Sequence, residues 1–386
     1  MWGVIRARQG IPYERKADTG FDKHATHLVQ FACMPNPEEL PADAVTLAFE
    51  RATHPKLTKL ISAEELVHRQ KALAMIDKLC SAPIEIAKFL SVGLVPALNA
   101  GAEDEDGTVR VLVSHVFILI AQDKHGRDHM HSSLSVPVLQ QLLSDPEQQV
   151  RAHACKALSA LCVEVAHPVT AEVVGRHTVP LLIERAGVEK DDVLPHLLHA
   201  LKMCLLHHAG LVAAIAHGGV ASMASLLESG SPEVVACACH NLFCLAVPSD
   251  GKHACLDEGA VPELLPQLVK LLRFVDTKVQ EDAAAALMAI TVSVPAKHRC
   301  VELGVCEVLK DIALDPAVGP KLRGNAIKVI TTLAEAPKAR MAFEEIVPVL
   351  DEFAHSEHDP LATSQAEADF LRHHAKRAKD VITWRP

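Results

Sequence analysis

The strongest constraint on this 386-residue chain is an internal repeat of about 42 residues. A Val that is usually followed by Pro recurs as Val95-Pro96, Val136-Pro137, Val179-Pro180, Val220-Ala221, Val261-Pro262, Val305-Cys306 and Val347-Pro348, at spacings of 41, 43, 41, 41, 44 and 42. Glycine stands just before several copies, at Gly93, Gly219, Gly259 and Gly304. A glycine closes a helix through a left-handed turn, and Pro in the next helix's first turn lacks no needed N–H. Each copy therefore predicts a helix–helix corner. A second signal begins at Val67, Val109, Val150, Val193, Val234, Val279, Leu322 and Leu371, where an apolar residue is often followed by Arg or Gln. In the clearest copies Val150-Arg151 leads to Ala154, Ala157 and Leu158, and Val279-Gln280 leads to Ala283, Ala286 and Leu287. That spacing is one face of an α-helix. A unit of this size cannot bury its apolar face alone, so stacked copies must supply the core.

The order of short helix, Gly corner, Val-Pro helix ending in Leu-Leu and Ala-rich third helix resembles the armadillo repeat. HEAT repeats, with a similar period but two helices and no such corner, come second. The expected fold is all-α: a right-handed α-solenoid of about eight armadillo-like repeats over residues 46–386, preceded by an extended N-terminal arm over residues 1–45. The arm holds Pro12, Pro35, Pro37 and Pro41 outside the period, and Trp2, Val4, Ile5 and Phe21 give it apolar anchors for ordering on a partner. In the last copy the corner-to-helix distance grows to 24 residues through a polar stretch, as expected of a terminal cap.

Composition narrows the function. Aromatics are only 3%, which disfavours an all-β core and a base-stacking platform, and a net charge of −10 disfavours nucleic acid as a partner. Eleven Cys, mostly within apolar helical stretches, form no paired framework and suggest a reducing compartment. The first thirty residues show no apolar leader core, and no apolar run reaches the length of a membrane span. No P-loop, His-Glu-x-x-His, Gly-x-Ser-x-Gly or Cys-x-x-Cys motif is present. His125, His129 and His131 are expected to share a loop, and Cys237, Cys239 and His240 a helix, but neither set has standard metal-ligand spacing. The expectation is a protein that is not an enzyme, with no cofactor, no metal, no membrane and no small-molecule substrate.

Aligning the third helices singles out one position in each: Leu73, His115, Lys156, His199, His240, Ala285, Lys328 and Arg377. Three residues earlier lie Gln70, Leu112, His153, His196, Cys237, Asp282, Asn325 and His374, on the same helix face. His115, Lys156, His199, His240, Lys328 and Arg377 are thus candidate partner-binding residues along a groove suited to an acidic or extended segment. The same histidines can instead serve the stacking of neighbouring repeats. Nuclear-import adaptors of the armadillo class place Trp and Asn four residues apart on this helix. Here no Trp lies between Trp2 and Trp384, and the Asn places hold Asp77, Leu119, Ala160, Met203, Cys244, Ala289 and Thr332.

Four short pieces, in register with the repeats, carry a closer resemblance. They are Arg69-Gln70-Lys71-Ala72-Leu73, Asp250-Gly251-Lys252, Leu333-Ala334-Glu335-Ala336-Pro337 and the ending Val381-Ile382-Thr383-Trp384-Arg385-Pro386. Over residues 37–386 the chain resembles the armadillo-repeat radial spoke subunits of motile cilia and flagella, of the radial spoke head 14 type. The resemblance implies a scaffold of the axonemal radial spoke whose partners are other radial spoke proteins. The alternative from the same fold is a general cytosolic armadillo adaptor that binds a peptide segment of a soluble partner.

Overall fold

The computed structural model describes residues 52–384 apart from 176, 191, 258–262 and 357–360. The arm over residues 1–45 and its boundary with the repeats lie outside the described residues, as do Gly259 and the Val261-Pro262 corner. Among the described residues every regular element is helical. The array opens with a pair, α1 (Thr53–Leu60) and α2 (Leu66–Leu79), and continues in triplets. These are α3 (Pro83–Ser91), α4 (Leu94–Gly101) and α5 (Gly107–Gln122); α6 (Lys124–Ser132), α7 (Ser135–Leu142) and α8 (Gln148–Leu161); and α9 (Pro168–Gly175), α10 (Thr178–Ala186) and α11 (Leu194–Leu205). Next come α12 (His208–Ala216), α13 (Gly219–Ser225) and α14 (Pro232–Leu245), then α15 (Ser249–Cys255), α16 (Leu264–Leu271) and α17 (Thr277–Ile290). The last two triplets are α18 (Val294–Glu302), α19 (Val305–Leu314) and α20 (Pro320–Leu333), and α21 (Pro337–Ala342), α22 (Val347–His355) and α23 (Gln365–Thr383).

The third helices α2, α5, α8, α11, α14, α17, α20 and α23 stack each on the next. Small residues set how closely they approach: Ala154 and Ala157 on α8, Ala238 on α14, and Ala283 and Ala286 on α17 are all fully buried. Leu158, Leu201, Leu242 and Leu287 fill the seams between them. The buried apolar residues form one connected cluster from Leu57 to Ile382, so no repeat owns a separate core. No single described helix is long and apolar enough to cross a membrane.

At the corners the backbone turns left-handed at Gly93 (φ 82°), Gly218 (φ 73°) and Gly304 (φ 73°), so that α3 meets α4 at 84° and the pair around Gly218 meets at 73°. The sequence pattern assigned the second of these to Gly219. That residue instead opens α13, where a Cβ would come within 2.7 Å of the Ala214 carbonyl oxygen. Leu134 (φ 56°) and His177 (φ 60°) take the same left-handed role without a glycine, at a cost of about 1–2 kcal/mol each. A second difference concerns His125, His129 and His131, which lie on helix α6 rather than in a loop. The Asp123 carboxylate caps that helix by accepting from Gly126 N at 2.9 Å, which stabilises a helix start that reads as polar.

The Arg or Gln one residue after the first apolar residue of a third helix, or two after it at Val67, has a repeated task. Arg69, Arg110 and Arg151 each donate through Nη1 to two backbone carbonyls of the loop before their own helix. The remaining nitrogens reach a carboxylate of the next repeat: Arg69 Nε to Asp104 at 2.8 Å, Arg110 Nε to Asp145 at 2.7 Å, Arg151 Nε to Glu189 at 2.9 Å. In later repeats Gln280, Arg323 and Arg372 likewise donate to a carbonyl before their own helix, of Leu272, Asp315 and Ser356. At the opposite corner a small residue lets the first helix press on the end of the third. A Cβ on Gly126, Gly210 or Gly251 would fall within 1.8–2.1 Å of the Ile120, Cys204 or Leu245 carbonyl oxygen.

Two substitutions test these contacts in urea unfolding. Arg110→Ala leaves the buried Asp145 carboxylate without its guanidinium and should cost about 2–3 kcal/mol; Arg110→Lys should recover less than half, since an ammonium cannot fork between two carbonyls and a carboxylate. Gly251→Ala should cost about 2 kcal/mol by forcing α15 off the end of α14. Unchanged midpoints in either variant would show that the contact does not hold the stack together.

Candidate functional site

The third helices are buried on the faces that meet their neighbours, and their remaining face is open. Across α11, α14 and α17 this face forms a groove of about 660 Å³, lined among others by His199, Lys202, Glu233, Cys237, His240 and Asp282. The structure places the six candidate residues in two groups.

The first group contains His115, Lys156, His199 and His240. His115 is hydrogen-bonded through Nδ1 to Asp77 of α2, and its ring lies 5.2 Å from that of His153 on α8. His240 Nδ1 stands 3.3 Å from Asp282 of α17, whose other oxygen accepts from Lys278 Nζ at 2.8 Å. Burial works to raise the Asp282 carboxyl, but the bonds from His240 and Lys278 and their charges outweigh it and hold it below the ordinary value. These two histidines therefore tie repeats together. Lys156 and His199 have no carboxylate partner among the described residues. Lys156 lies near enough to depress the neighbouring histidines: burial and then the charges of His115 and Lys156 push His153 down, and burial and Lys156 push His196 down, with Glu233 opposing. His199 is lowered by burial, Lys202 and His240.

The second group lies beyond α17, where Ala285 and Asp282 interrupt the run of cations. Lys328 Nζ sits 4.3 Å from the centre of the Phe370 ring, a cation–π contact. The position is half-buried rather than on the open surface, and burial lowers the ammonium's pKa. Arg377 is exposed, one turn after His374 on α23. Burial, followed by the charges of Lys328, His373 and Arg377, drives the His374 pKa from 6.5 to about 4.

Sequence alignment found His153 and His196 in the companion row but missed Lys202 and Glu233. Lys202, three residues after His199, was within reach of the helix-spacing argument. Glu233 enters only because the first turn of α14 swings beside α11. Cys237, half-buried in the groove, has its thiol raised by burial, then by Glu233 and Asp282, so it stays protonated and is no ready nucleophile. Burial likewise lifts Cys80, Cys155, Cys255 and Cys300 to about 12. No three His, Cys, Asp or Glu side chains converge on a metal position among the described residues. On α6, His131 is engaged instead with Glu172 at 2.7 Å.

Residues 136–164 match the HEAT repeat family. Among solved structures, an engineered protein is 22% identical with a TM-score of 0.75, covering 87% of this chain and 79% of its own. A designed armadillo repeat protein in complex with the peptide (KR)4 is 20% identical with a TM-score of 0.56, covering 61% of this chain and 98% of its own. The fold is an armadillo/HEAT-type repeat solenoid. In sequence the chain is 28% identical over 250 residues to radial spoke protein 14 of Chlamydomonas reinhardtii, a match covering 62% of this chain. It spans 65% of the length of that relative.

The pieces that carry the resemblance each hold the stack. Arg69 is the first interrepeat arginine, and Gln70 donates to Asp106 at 3.1 Å. Gly251 gives α15 its close approach, and Lys252 caps the Val247 carbonyl. Glu335 pairs with the buried Lys297, and Pro337 opens α21. The Arg340 guanidinium lies 5.3 Å from the Trp384 ring centre.

The histidine cluster at the C-terminal end predicts an acid-sensitive fold. The folded state keeps His374 neutral, whereas the unfolded chain takes up a proton near its ordinary value of 6.5. Stability is therefore complete above that pH and falls as pH drops from 6.5 toward 4. Between about pH 7.5 and pH 5 the urea midpoint of the wild type should fall further than that of His374→Gln. Equal falls would show that His374 titrates normally.

Proposed function

We propose that this chain is a non-enzymatic scaffold subunit of the radial spoke of the ciliary or flagellar axoneme, holding other spoke proteins through the groove of its third helices and its ends. One observation carries the reading: the 28% identity over 250 residues to radial spoke protein 14 of Chlamydomonas reinhardtii, in a chain folded as a repeat solenoid. A rigid rod of repeats with a single core suits a part that must hold a fixed geometry under load. Under this reading His115, Lys156, His199, His240, Lys328 and Arg377 border the partner surface, and His115 and His240 also brace it.

A cytosolic adaptor would share the groove, and the designed armadillo protein bound to (KR)4 shows that this fold can hold a peptide. Distribution in a ciliated cell separates the two. The tagged chain should remain with axonemes after detergent removes the membrane and should crosslink to other spoke proteins. A wholly detergent-soluble pool would overturn the spoke assignment.

A further inference from the structure

The sector of the groove formed by α8 and α11 differs from its flanks. On one side Asp77 answers His115, and on the other Asp282 answers His240 and Lys278. Between them stand His153 and Lys156 on α8 and His196, His199 and Lys202 on α11, with the exposed Glu233 of α14 beside them. Neither lysine is ion-paired among the described residues, although the chain as a whole carries 48 acidic against 38 basic residues.

We propose that this sector is the seat of an acidic, extended peptide segment of a partner protein, and that seating the peptide takes up protons. The groove as a partner surface rests on the reading above, and its fit to an acidic or extended segment is the expectation drawn from the sequence; the sector and the proton coupling are added here. Packed helices lie about 8–10 Å apart, and a polyproline-type strand repeats its face every third residue, about 9.3 Å. Carboxylates three positions apart on such a strand therefore reach Lys156 on α8 and Lys202 on α11 in one register. The histidines between them supply the coupling. The groups facing them are His115 with Asp77, Lys156, Lys202, Glu233, and His240 with Asp282 and Lys278. In the free chain burial and the neighbouring cations hold His153, His196 and His199 below the ordinary imidazole value. An added carboxylate favours the imidazolium, so each histidine it reaches gains affinity for a proton on binding. By linkage, peptide affinity rises as pH falls through the histidine range, while a Glu side chain stays ionised down to about pH 4.3.

The test uses the full chain and a fluorescent nonapeptide of three Glu-Pro-Ala units, followed by anisotropy at about pH 8 and pH 5.5. One unit of pKa change is a tenfold effect, so tightening by about tenfold is expected at the lower pH if one unit is shared among the histidines. Lys156→Glu with Lys202→Glu should abolish binding, with thermal unfolding as the check on folding; Lys156→Gln with Lys202→Gln, which adds no repulsion, should weaken it. His196→Gln with His199→Gln should keep binding at the higher pH and lose most of the gain at the lower. Binding that ignores pH, survives the lysine changes, or is matched by a Lys-Pro-Ala nonapeptide overturns the proposal. Tighter binding of a nine-residue oligothymidylate at equal salt overturns the choice of a peptide. Peptide failure with axonemal retention intact removes this inference alone, whereas a soluble chain that still binds the peptide removes the spoke assignment alone.

Discussion

Every inner third helix in the array lies between two others, and neither of its buried sides exists without them. Apolar burial is roughly proportional to the area removed from water, so the energy of one repeat is realised only at its seams. The small residues Ala154, Ala157, Ala238, Ala283 and Ala286 bring the helices close, and Leu158, Leu201, Leu242 and Leu287 fill what remains. Apolar contact alone leaves the angle and register of such a stack loosely specified. Arg69, Arg110 and Arg151 supply direction, because a planar fork that must meet two carbonyls behind and a carboxylate ahead fits one arrangement of successive repeats.

The array is not uniform along its length. The first three third helices carry complete arginine bridges at Arg69, Arg110 and Arg151, whereas the equivalent places on α11 and α14 hold Leu194 and Val235, and other pairs serve the later repeats. Lys297 meets Glu335, Lys310 meets Glu345 and Glu307, and Lys321 meets Glu281 at 2.9 Å. Lys297 and Lys310 are nearly buried while Glu335 and Glu345 are largely exposed, so each pair keeps one end in water and avoids the full cost of desolvating both charges. The terminal helix α23 buries Ala368, Leu371, Ala375, Ala378 and Ile382 and turns its charged side chains outward, closing the core with one polar face.

The architecture was legible in the sequence because periodicity reports burial directly. Val150, Ala154, Ala157 and Leu158 are fully or almost fully buried where their spacing put them. The corners were less legible. A left-handed residue is visible when it is Gly93 or Gly304, but Leu134 and His177 adopt the same conformation under the pull of flanking packed helices, and nothing in a side chain announces it. Gly219 misled for a related reason: glycine answers both to positive φ and to close approach, and there the second applies, one residue after the first. The helix α6 was hidden by its polar, histidine-rich sequence, since Gly126 serves contact with the Ile120 carbonyl rather than a turn.

The candidate groove was half legible, and the missing half is electrostatic. One register position per repeat gave His115, Lys156, His199, His240, Lys328 and Arg377, but equivalence by position is not equivalence by environment. His115 and His240 meet carboxylates that lie on neighbouring third helices, at Asp77 and Asp282, which a one-position alignment does not pair. Lys328 is drawn over Phe370 by the crossing of the terminal helix. Lys156 and His199 stand without an anionic partner among the described residues. Clustered cations raise one another's free energy, and the array possesses a local remedy, since a single Asp on the preceding or following third helix answers the histidine on each flank. On α8 and α11 that remedy is absent among the described residues, and burial, joined by the neighbouring positive charges, depresses the pKa values of His153, His196 and His199. Under the proposal of an acidic peptide in this sector, the partner supplies between the flanks the anions that the flanks carry within the chain.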